Sequence, residues 1–186
     1  MKHLLIPLLF AGLLFFGCNQ DSEITSPEGT GSYQNYELIE LPPPSSGAHI
    51  ESQTQTKVID GDEGGSFSAE FGYQSSTGMV YQASYLNFEE DAFEGTKTIS
   101  KTFSTTGAAM IFGPPMQFEE KVTYNYKVSG LDLTGVNPNT VDFVYIDASG
   151  NIYPVQHNGV AVNLTSGTLA VYGAELPHFS RYGFVN

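Results

Sequence analysis

Apolar and polar side chains alternate with a period of two along most of the chain from about residue 50 onward. This alternation is typical of β-strands, because successive side chains of a strand point to opposite faces of its sheet. Gly, Asn and Ser residues separate the runs and predict turns between them. The clearest runs are Phe67–Tyr73, Met79–Tyr85, Ile99–Phe103, Val122–Val128 and Val160–Leu164.

The run from Val141 to Ile146 has large apolar residues at both odd and even positions. We therefore expect a strand that is buried on both faces. The loop of residues 147–151 contains Gly150, which suits the positive φ of a hairpin turn. No segment after the first seventeen residues has the period of a long helix. Eight to ten short strands with turns between them predict an all-β fold, an antiparallel β-sandwich.

The first eighteen residues have the pattern of a lipoprotein signal. Lys2 and His3 precede an apolar run from Leu4 to Phe16. A transmembrane helix needs about 20 apolar residues, so this run is too short to span a bilayer and fits the hydrophobic region of a signal peptide. The run leads into Gly17-Cys18, which resembles the cleavage site of the lipoprotein signal peptidase.

Cys18 is the only cysteine, so an internal disulfide is excluded and lipidation is its expected role. The alternative is an ordinary signal peptide that contains a cysteine. We expect cleavage after Gly17 and acylation of Cys18, for example with palmitate, each buried CH₂ group contributing about 0.8 kcal/mol to membrane binding. Asn19 stands where an Asp would resemble an inner-membrane retention signal, and this favours the outer membrane of the cell envelope.

The composition divides the chain into three parts. Residues 1–17 form the predicted signal peptide, and residues 18–48 form the lipidated cysteine with a tether rich in Ser, Pro, Gly, Thr and Gln. Within the tether, Tyr33–Leu41 alternates its side chains and predicts a short strand that docks on the domain. Residues 49–186 form the predicted β-sandwich domain.

The charge of the chain narrows the classes of partner. The full sequence has a formal net charge of −13. Removal of residues 1–17 also removes Lys2, so the mature chain has six Lys and Arg residues against 20 Asp and Glu residues, a net charge of −14. Such a surface repels phosphate backbones, so no nucleic-acid binding is expected. It also repels anionic headgroups, so we expect the lipid on Cys18 to make the contact with the bilayer.

Two acidic segments are candidates for cation binding. Asp60, Asp62 and Glu63 are closely spaced carboxylates beside glycines, which suits a hard cation such as Ca²⁺. The segment lacks the final Glu of an EF-hand loop, and an acidic β-turn is the alternative. In the second segment we expect a solvated loop, with a cation or a basic partner as the alternative. Its residues are Glu89, Glu90, Asp91 and Glu94.

The sequence predicts no catalytic residues and no cofactor. Nucleophilic catalysis requires a nucleophile beside a base, and the expected lipidation of Cys18 removes the thiol. The motifs G-x-S-x-G, H-E-x-x-H and a Gly-rich phosphate loop are absent. We therefore predict that the protein is not an enzyme, with an envelope hydrolase as the least favoured alternative. His178 is expected to pack or to donate hydrogen bonds; the other histidines of the mature chain are His49 and His157.

Aromatic residues offer one more kind of site. Tyrosine rings stack on sugar rings, although packing in the core and across strands is their commoner role in a sheet. Trp, the best stacking platform, is absent. The apolar segment Met110–Met116 contains two prolines; we expect it to cross between the sheets, with an exposed interaction loop as the alternative. The tyrosines concerned are Tyr73, Tyr81, Tyr85, Tyr124, Tyr126 and Tyr145.

Four segments resemble, in the same order, those of the ZU5-type β-sandwich in the divergent form found in bacterial extracytoplasmic lipoproteins. The resemblance covers about residues 58 to 185 and departs at Phe88–Asp91, where the family has an Ile-Pro-x-Gly turn. It implies a β-sandwich that makes protein–protein contacts and has no catalytic site. The four segments are Gly64–Phe67, Ala92–Ile99, Leu131–Asp147 with Gly150, and His178–Tyr182.

Together these features predict a membrane-anchored envelope lipoprotein. Its β-sandwich is expected to have a non-catalytic role, either structural or in protein interaction, with an envelope protein as the partner. A glycan-binding surface lipoprotein is the alternative. A row of solvent-exposed tyrosines on one sheet face would favour this alternative, whereas buried tyrosines would count against it.

Overall fold

The structure, a computed structural model, describes residues 36–45 and 52–186. The regular elements of this part are eleven β-strands, which form two antiparallel sheets packed as a β-sandwich. The predicted fold class is confirmed, with one strand more than the upper end of the predicted number. The strands are β1 (Gln53–Asp60), β2 (Gly65–Ser75), β3 (Gly78–Phe88), β4 (Thr96–Phe103), β5 (Ala109–Gly113), β6 (Gln117–Ser129), β7 (Asp142–Ile146), β8 (Ile152–Pro154), β9 (Gly159–Asn163), β10 (Thr168–His178) and β11 (Arg181–Val185).

The two sheets draw their strands from the whole length of the domain. The six-stranded sheet has the order β1-β4-β5-β11-β7-β8, and the five-stranded sheet has the order β2-β3-β6-β10-β9. The segment Met110–Met116 leaves β5 in the first sheet and leads to β6 in the second, so the predicted crossing between sheets is confirmed. Each sheet therefore has one inner face toward the core and one outer face.

The core between the sheets is rich in aromatic rings. Tyr124 and Tyr126 of β6 are completely or almost completely buried, as the alternation of that run indicates. The Tyr126 ring stacks on Phe184 of β11 with centroids 5.6 Å apart, and Phe143 of β7 packs edge-on against Phe184 at 5.2 Å. Full burial of a large apolar side chain contributes about 1.5–3 kcal/mol, so these rings hold the two sheets together.

β7 is buried on both faces, as predicted. Phe143 and Tyr145 point into the main core, while Val144 and Ile146 belong to a second apolar cluster with Val185 on the outer face of the six-stranded sheet. The loop that follows β7 ends its turn at Gly150 with a φ of 85°, which confirms the positive φ expected there.

The segment of residues 36–45 docks on the sandwich in extended form. The Ile39 amide donates to the carbonyl of Phe184 at 2.9 Å, and the Ala108 amide donates to the carbonyl of Ile39 at 2.8 Å. Ile39 and Leu41 are buried in the main core. Leu38 instead packs with the second cluster, so this segment covers part of the outer face of the six-stranded sheet.

Side chains of β1 close the gap between the two sheets at one edge of the sandwich. The Gln55 side-chain amide donates to the carbonyl of Glu70 on β2, and the Lys57 ammonium donates to the carbonyl of Ser66, each at 2.6 Å. Unpaired backbone groups on an edge strand invite pairing with another chain. These two side chains satisfy part of the free edge of β2.

Several predictions from the sequence concern residues outside the described part of the chain. These are the signal peptide of residues 1–17, the lipidation of Cys18, the tether up to residue 35, and His49. Within residues 36–45 and 52–186, we find no helix that is long and apolar enough to cross a bilayer.

Candidate binding face

β3 exposes three large side chains and buries two polar ones. Met79, Tyr81 and Tyr85 are 58%, 38% and 40% exposed. Its buried side carries the polar residues Gln82 and Ser84, beside the apolar residues Val80, Leu86 and Phe88. In a strand with one solvated face, large apolar residues are expected on the buried side and polar residues on the exposed side. The orientation of β3 therefore marks its outer surface as a site of interest.

The core accommodates the polar side of β3 through specific hydrogen bonds. The Tyr126 hydroxyl donates to the Gln82 side-chain oxygen at 2.5 Å, and the Gln82 side-chain nitrogen donates to the carbonyl of Ser104 at 3.1 Å. Burial of an amide without partners costs about 1–3 kcal/mol by mutational measures. Gln82 avoids this cost because both ends of its amide are paired.

A buried lysine completes this polar region. The Lys101 amine of β4 crosses from the six-stranded sheet and donates to the carbonyl of Phe67, to the Ser84 hydroxyl at 3.1 Å, and to the carbonyl of Ser84. Its nitrogen also lies 4.5 Å from the centroid of the Phe67 ring. All its partners are neutral, and burial lowers the pKa of the Lys101 amine to about 7.

On the outer face of the five-stranded sheet, Tyr81 lies across its neighbouring strand. It pairs with Gly72 of β2, and a Cβ atom added at Gly72 would lie 3.3 Å from the Tyr81 ring. The Tyr81 hydroxyl donates to the Glu70 carboxylate, which raises the pKa of the tyrosine. Glycine at position 72 thus leaves room for the ring to lie against the sheet, and Glu70 holds its far end.

A β-bulge in β10 presents a third exposed tyrosine. Between Val171 and Ala174, β10 advances three residues while its partner β6 advances two. The extra residue belongs to the Tyr172-Gly173 pair, where Gly173 has a φ of 57° and its amide donates to the Asn125 side-chain oxygen at 2.8 Å. Such bulges redirect side chains, and here Tyr172 is 53% exposed. We call the outer surface bearing Tyr81, Tyr85 and Tyr172 the tyrosine face.

A groove of about 280 Å³ has Tyr85 and Tyr172 in its lining, and Tyr81 lies beside it on the same face. Its floor contains Ala83 and Ala170, which are too small to fill it. Ala83 pairs with Glu70 of β2 on one side and with Lys127 of β6 on the other, and Lys127 pairs with Ala170 of β10. One carboxylate and one ammonium group therefore stand in the same row as the alanines.

The sequence left the role of six tyrosines open, and the structure divides them. Four are buried and serve the core, as the commoner interpretation holds: Tyr73, Tyr124, Tyr126 and Tyr145. For Tyr81 and Tyr85 the prediction of packing in the core is wrong, because both residues are exposed on the outer face, although Tyr81 packs across strands beside Gly72. Together with Tyr172 they form the exposed set that favours the alternative of a glycan-binding surface.

The first acidic segment fastens a turn to a neighbouring loop. The Asp60 carboxylate accepts from the Asp62 amide and from the Thr96 hydroxyl, each at 3.1 Å. The Asp62 carboxylate accepts from the amide of Gly95 at 3.1 Å, while Glu63 is exposed. Among the described residues, no group of three or more His, Cys, Asp or Glu side chains is arranged to hold a metal ion.

The second acidic segment is exposed, and the histidines at positions 157 and 178 make local contacts. The four acidic side chains at positions 89, 90, 91 and 94 are exposed, as expected of a solvated loop. His178 is buried, packs edge-on against Tyr145 with centroids 4.6 Å apart, and burial lowers its pKa. His157 pairs with the Asp142 carboxylate at 2.9 Å.

A larger cleft of about 370 Å³ lies beside β6, β10 and the segment after β8. Its walls include Val122 and Leu176, which belong to the main core, and Tyr145. The Lys121 ammonium and the Glu175 carboxylate, which also line it, form an ion pair at 2.5 Å. This cleft is a gap in the packing between the sheets, and we assign the candidate site to the tyrosine face instead.

Sequence reasoning missed several residues of the tyrosine face. Tyr172 precedes Gly173, and a glycine inside a strand run is a signal of a bulge, whereas Asn125 has no such signal in its own run. Glu70, Gly72 and Lys127 carry no local signal, because only the register of β2, β3 and β6 brings them beside the tyrosines. Pairing between strands distant in sequence cannot be read from a period of two.

Comparison of the chain with protein-family models, with curated proteins and with solved structures finds no match.

Proposed function

We propose that the mature chain is a lipid-anchored, non-catalytic binding module of the bacterial cell envelope, and that the tyrosine face is its binding surface. The observation that carries this proposal is the orientation of β3, which exposes two tyrosines and a methionine and buries Gln82 and Ser84. Exposed aromatic groups gathered on one face are typical of interaction sites.

The energetics of β3 support this interpretation. Full burial of a large side chain contributes about 1.5–3 kcal/mol, which the chain forgoes at Tyr81 and Tyr85. It also accommodates the Lys101 amine in the core, where an ionised group is unfavourable. A local arrangement that opposes stability is expected where a surface serves binding.

The two outer faces of the sandwich differ in how far they are covered by the chain itself. The segment of residues 36–45 packs Tyr36 and Leu38 against the second apolar cluster, on the outer face of the six-stranded sheet. The tyrosine face lies on the opposite side and keeps its three rings exposed. A chain that enters the domain on one side thus leaves the other side open to a ligand.

The remaining parts of the proposal follow from the sequence. The sole cysteine after an apolar run supports a lipid anchor at Cys18, and Asn19 supports the outer membrane. The resemblance to ZU5-type domains and the absence of catalytic motifs support a binding role without catalysis. An envelope protein and an envelope glycan are the two classes of ligand that such a location offers.

The proposal is tested by cross-linking in intact cells. A photoreactive benzoylphenylalanine replaces Tyr85, and in a matched control it replaces Ile111, which is 45% exposed on the outer face of the other sheet. We expect a discrete adduct from position 85 and none from position 111. Equal adducts from both positions, or none from position 85, would contradict the assignment of the binding surface.

The anchor is tested separately by fractionation of the same cells. Cys18→Ala is expected to move the protein from the membrane fraction to the soluble fraction, because the acyl chains supply the bilayer contact. Retention of this variant in the membrane fraction would show that another part of the chain anchors it.

A further inference from the structure

The geometry of the tyrosine face points to a ligand class, and we infer that the face binds a neutral glycan chain lying across the strands. This inference rests on the proposed function and names the ligand of the same surface. It is carried by the arrangement of rings, small residues and polar groups in a trough, defined here by the row Glu70, Ala83, Lys127 and Ala170.

The row that defines the trough lies between two further rows of side chains, which also run across the strands. Tyr85 pairs with Ser68 and Asn125 in the row on one side, and Tyr81 pairs with Gly72 and Ser129 in the row on the other. The Cα atoms of Tyr81 and Tyr85 are four residues apart along β3, so they are about 13 Å from each other. From β2 to β10 the trough crosses three strand spacings, about 14 Å.

The shape of the trough suits a ligand that is a thin chain rather than one with a flat surface. The alanine floor between aromatic walls leaves the groove of about 280 Å³. An edge of the Tyr81 ring lies beside Gly72 and the residue is 38% exposed, so part of the ring is open to stacking with a sugar ring. Asn125 lies between Tyr85 of β3 and the bulge of β10 that carries Tyr172, so tyrosines flank it on both sides.

The polar groups of the trough match hydroxyl groups. A hydroxyl both donates and accepts, and the trough offers a carboxylate at Glu70, an ammonium at Lys127 and the free amide nitrogen of Asn125, whose oxygen is already used by Gly173. Among the described residues, no ion pair joins Glu70 to Lys127. The Lys127 ammonium can therefore donate to a ligand, and the Glu70 carboxylate, which accepts from the Tyr81 hydroxyl, has further acceptor positions for ligand hydroxyl groups.

The charge of the protein disfavours anionic polysaccharides, which are the main alternative class of polymeric ligand. With a net charge of −14, the mature chain repels polyanions such as uronic acid polymers. The trough itself holds one acidic and one basic group, so it gives no compensating positive patch. A neutral polysaccharide is not repelled by the net negative charge and needs no positive patch.

An extended peptide fits the same trough less well. Peptides bind sheets by pairing with an edge strand, whose backbone groups are free. The trough begins at Glu70 of the edge strand β2, but most of it crosses β3, β6 and β10, whose backbone groups are used by their neighbours in the sheet. A peptide backbone would find few partners there, whereas a sugar ring needs only side-chain partners and an aromatic face.

The site is also held in place before any ligand arrives. The Glu70 carboxylate holds the Tyr81 hydroxyl, the Asn125 oxygen holds the bulge at Gly173, and the Asn158 amide donates to the carbonyl of Tyr172 at 2.9 Å. Side chains ordered in advance lose less entropy on binding. This order favours binding of a flexible, weakly interacting ligand such as a polysaccharide.

The test measures binding of the full processed chain, in detergent micelles, to soluble polysaccharides by affinity electrophoresis and calorimetry. The neutral probes are dextran, mannan, laminarin, xylan and the neutral surface polysaccharide of the source cells; alginate is the anionic probe. We expect binding to at least one neutral probe and none to alginate. Tyr81→Ala and Tyr172→Ala are each expected to weaken that binding about five- to tenfold, since aromatic contacts of this kind are worth about 1 kcal/mol.

Matched variants separate ligand contact from fold. Ile111→Ala, on the other outer face, is expected to leave affinity unchanged, and thermal unfolding checks that each variant is folded. Gly72→Ala is expected to weaken binding without removing an aromatic ring, because its Cβ would press on the Tyr81 ring at 3.3 Å.

Absence of binding to every neutral probe would overturn the inference, as would tighter binding to alginate or equal binding by the tyrosine variants. If, in addition, the photoreactive group at position 85 captures a protein in cells, the proposed function stands and only the glycan assignment falls. If position 85 captures nothing and no probe binds, both fall.

Discussion

At the scale of single residues, Lys101 is the most unusual feature of the core. Its amine is buried, its hydrogen-bond partners are all neutral oxygens, and its pKa is lowered to about 7 by burial. Ionised groups in a low-dielectric interior are unfavourable, so this side chain loses its proton far more readily than an exposed lysine. The stability of the fold must therefore depend on pH.

We predict that the free energy of unfolding rises with pH between about 7 and 10. In the unfolded chain the amine has its ordinary pKa of about 10.4, so in this range the unfolded state binds more protons than the folded state, and each pH unit adds up to about 1.4 kcal/mol. Lys101→Met is expected to remove this rise. Urea denaturation at several pH values checks it, with Lys97→Met on the same strand as the control.

The ionisation of the buried tyrosines sets the upper limit of the pH range for this measurement. Burial raises the pKa of Tyr126 and of Tyr182, so their stabilising effect is present below the ordinary tyrosine pKa of about 10 and is lost as pH rises above it. A Lys101→Met variant whose unfolding free energy keeps the wild-type slope below pH 10 would contradict the assignment of that slope to Lys101.

Residue by residue, the sequence predicts strand positions better than strand orientation. Tyr124 and Tyr126 face the core as their alternation indicates, because the residues that alternate with them on this strand are polar. On β3, apolar residues occur at both odd and even positions, with Val80 buried and Tyr81 exposed. A period of two identifies two faces but does not say which one is inner when both carry apolar residues. The exposed tyrosines of β3 could therefore not be identified from a run that predicts the strand itself correctly.

At the scale of elements, the bulge of β10 builds one wall of the tyrosine face. It depends on a contact between strands, because the Asn125 side-chain oxygen accepts from the Gly173 amide at 2.8 Å. The extra residue at this point lets Tyr172 stand on the outer face while Val171 and Ala174 remain in the core.

We expect Asn125→Ala to destabilise the fold by about 1 kcal/mol, because the Gly173 amide loses its acceptor. The same change is expected to speed hydrogen exchange at the Gly173 amide, which NMR measures. Thr123→Ala, on the outer face of the same strand, serves as the control and is expected to change stability by less than about 0.5 kcal/mol. Unchanged exchange at Gly173 would show that the bulge does not need Asn125.

The docked N-terminal segment is a second element whose contribution can be measured. The alternation of Tyr33–Leu41 predicts that it docks, and the structure shows which residues do so. We predict that Ile39→Ala lowers the free energy of unfolding by about 2–4 kcal/mol, as for other buried Ile residues.

Glu40→Ala tests whether this effect belongs to burial. Glu40 is an exposed neighbour in the same segment, so its substitution is expected to change stability by less than about 0.5 kcal/mol. Equal and small effects of both substitutions in urea denaturation would show that the segment does not form part of the folded domain.

At the scale of the whole molecule, the sandwich has two outer faces with different uses. One receives the N-terminal segment through Tyr36 and Leu38, and the other carries Tyr81, Tyr85 and Tyr172. The fold class was predictable because the alternation is local. The division between the faces was not, because it depends on the register between strands and on where the N-terminal segment docks.

The most direct test of the central claim is hydroxyl-radical footprinting of the lipidated protein, on intact cells and after purification in detergent. If the tyrosine face binds an envelope ligand, Tyr81, Tyr85 and Tyr172 will be oxidised more slowly on cells, while Ile111 on the opposite sheet will be oxidised equally in both states. Equal oxidation of the three tyrosines in both states, or slower oxidation confined to Ile111, would contradict the account.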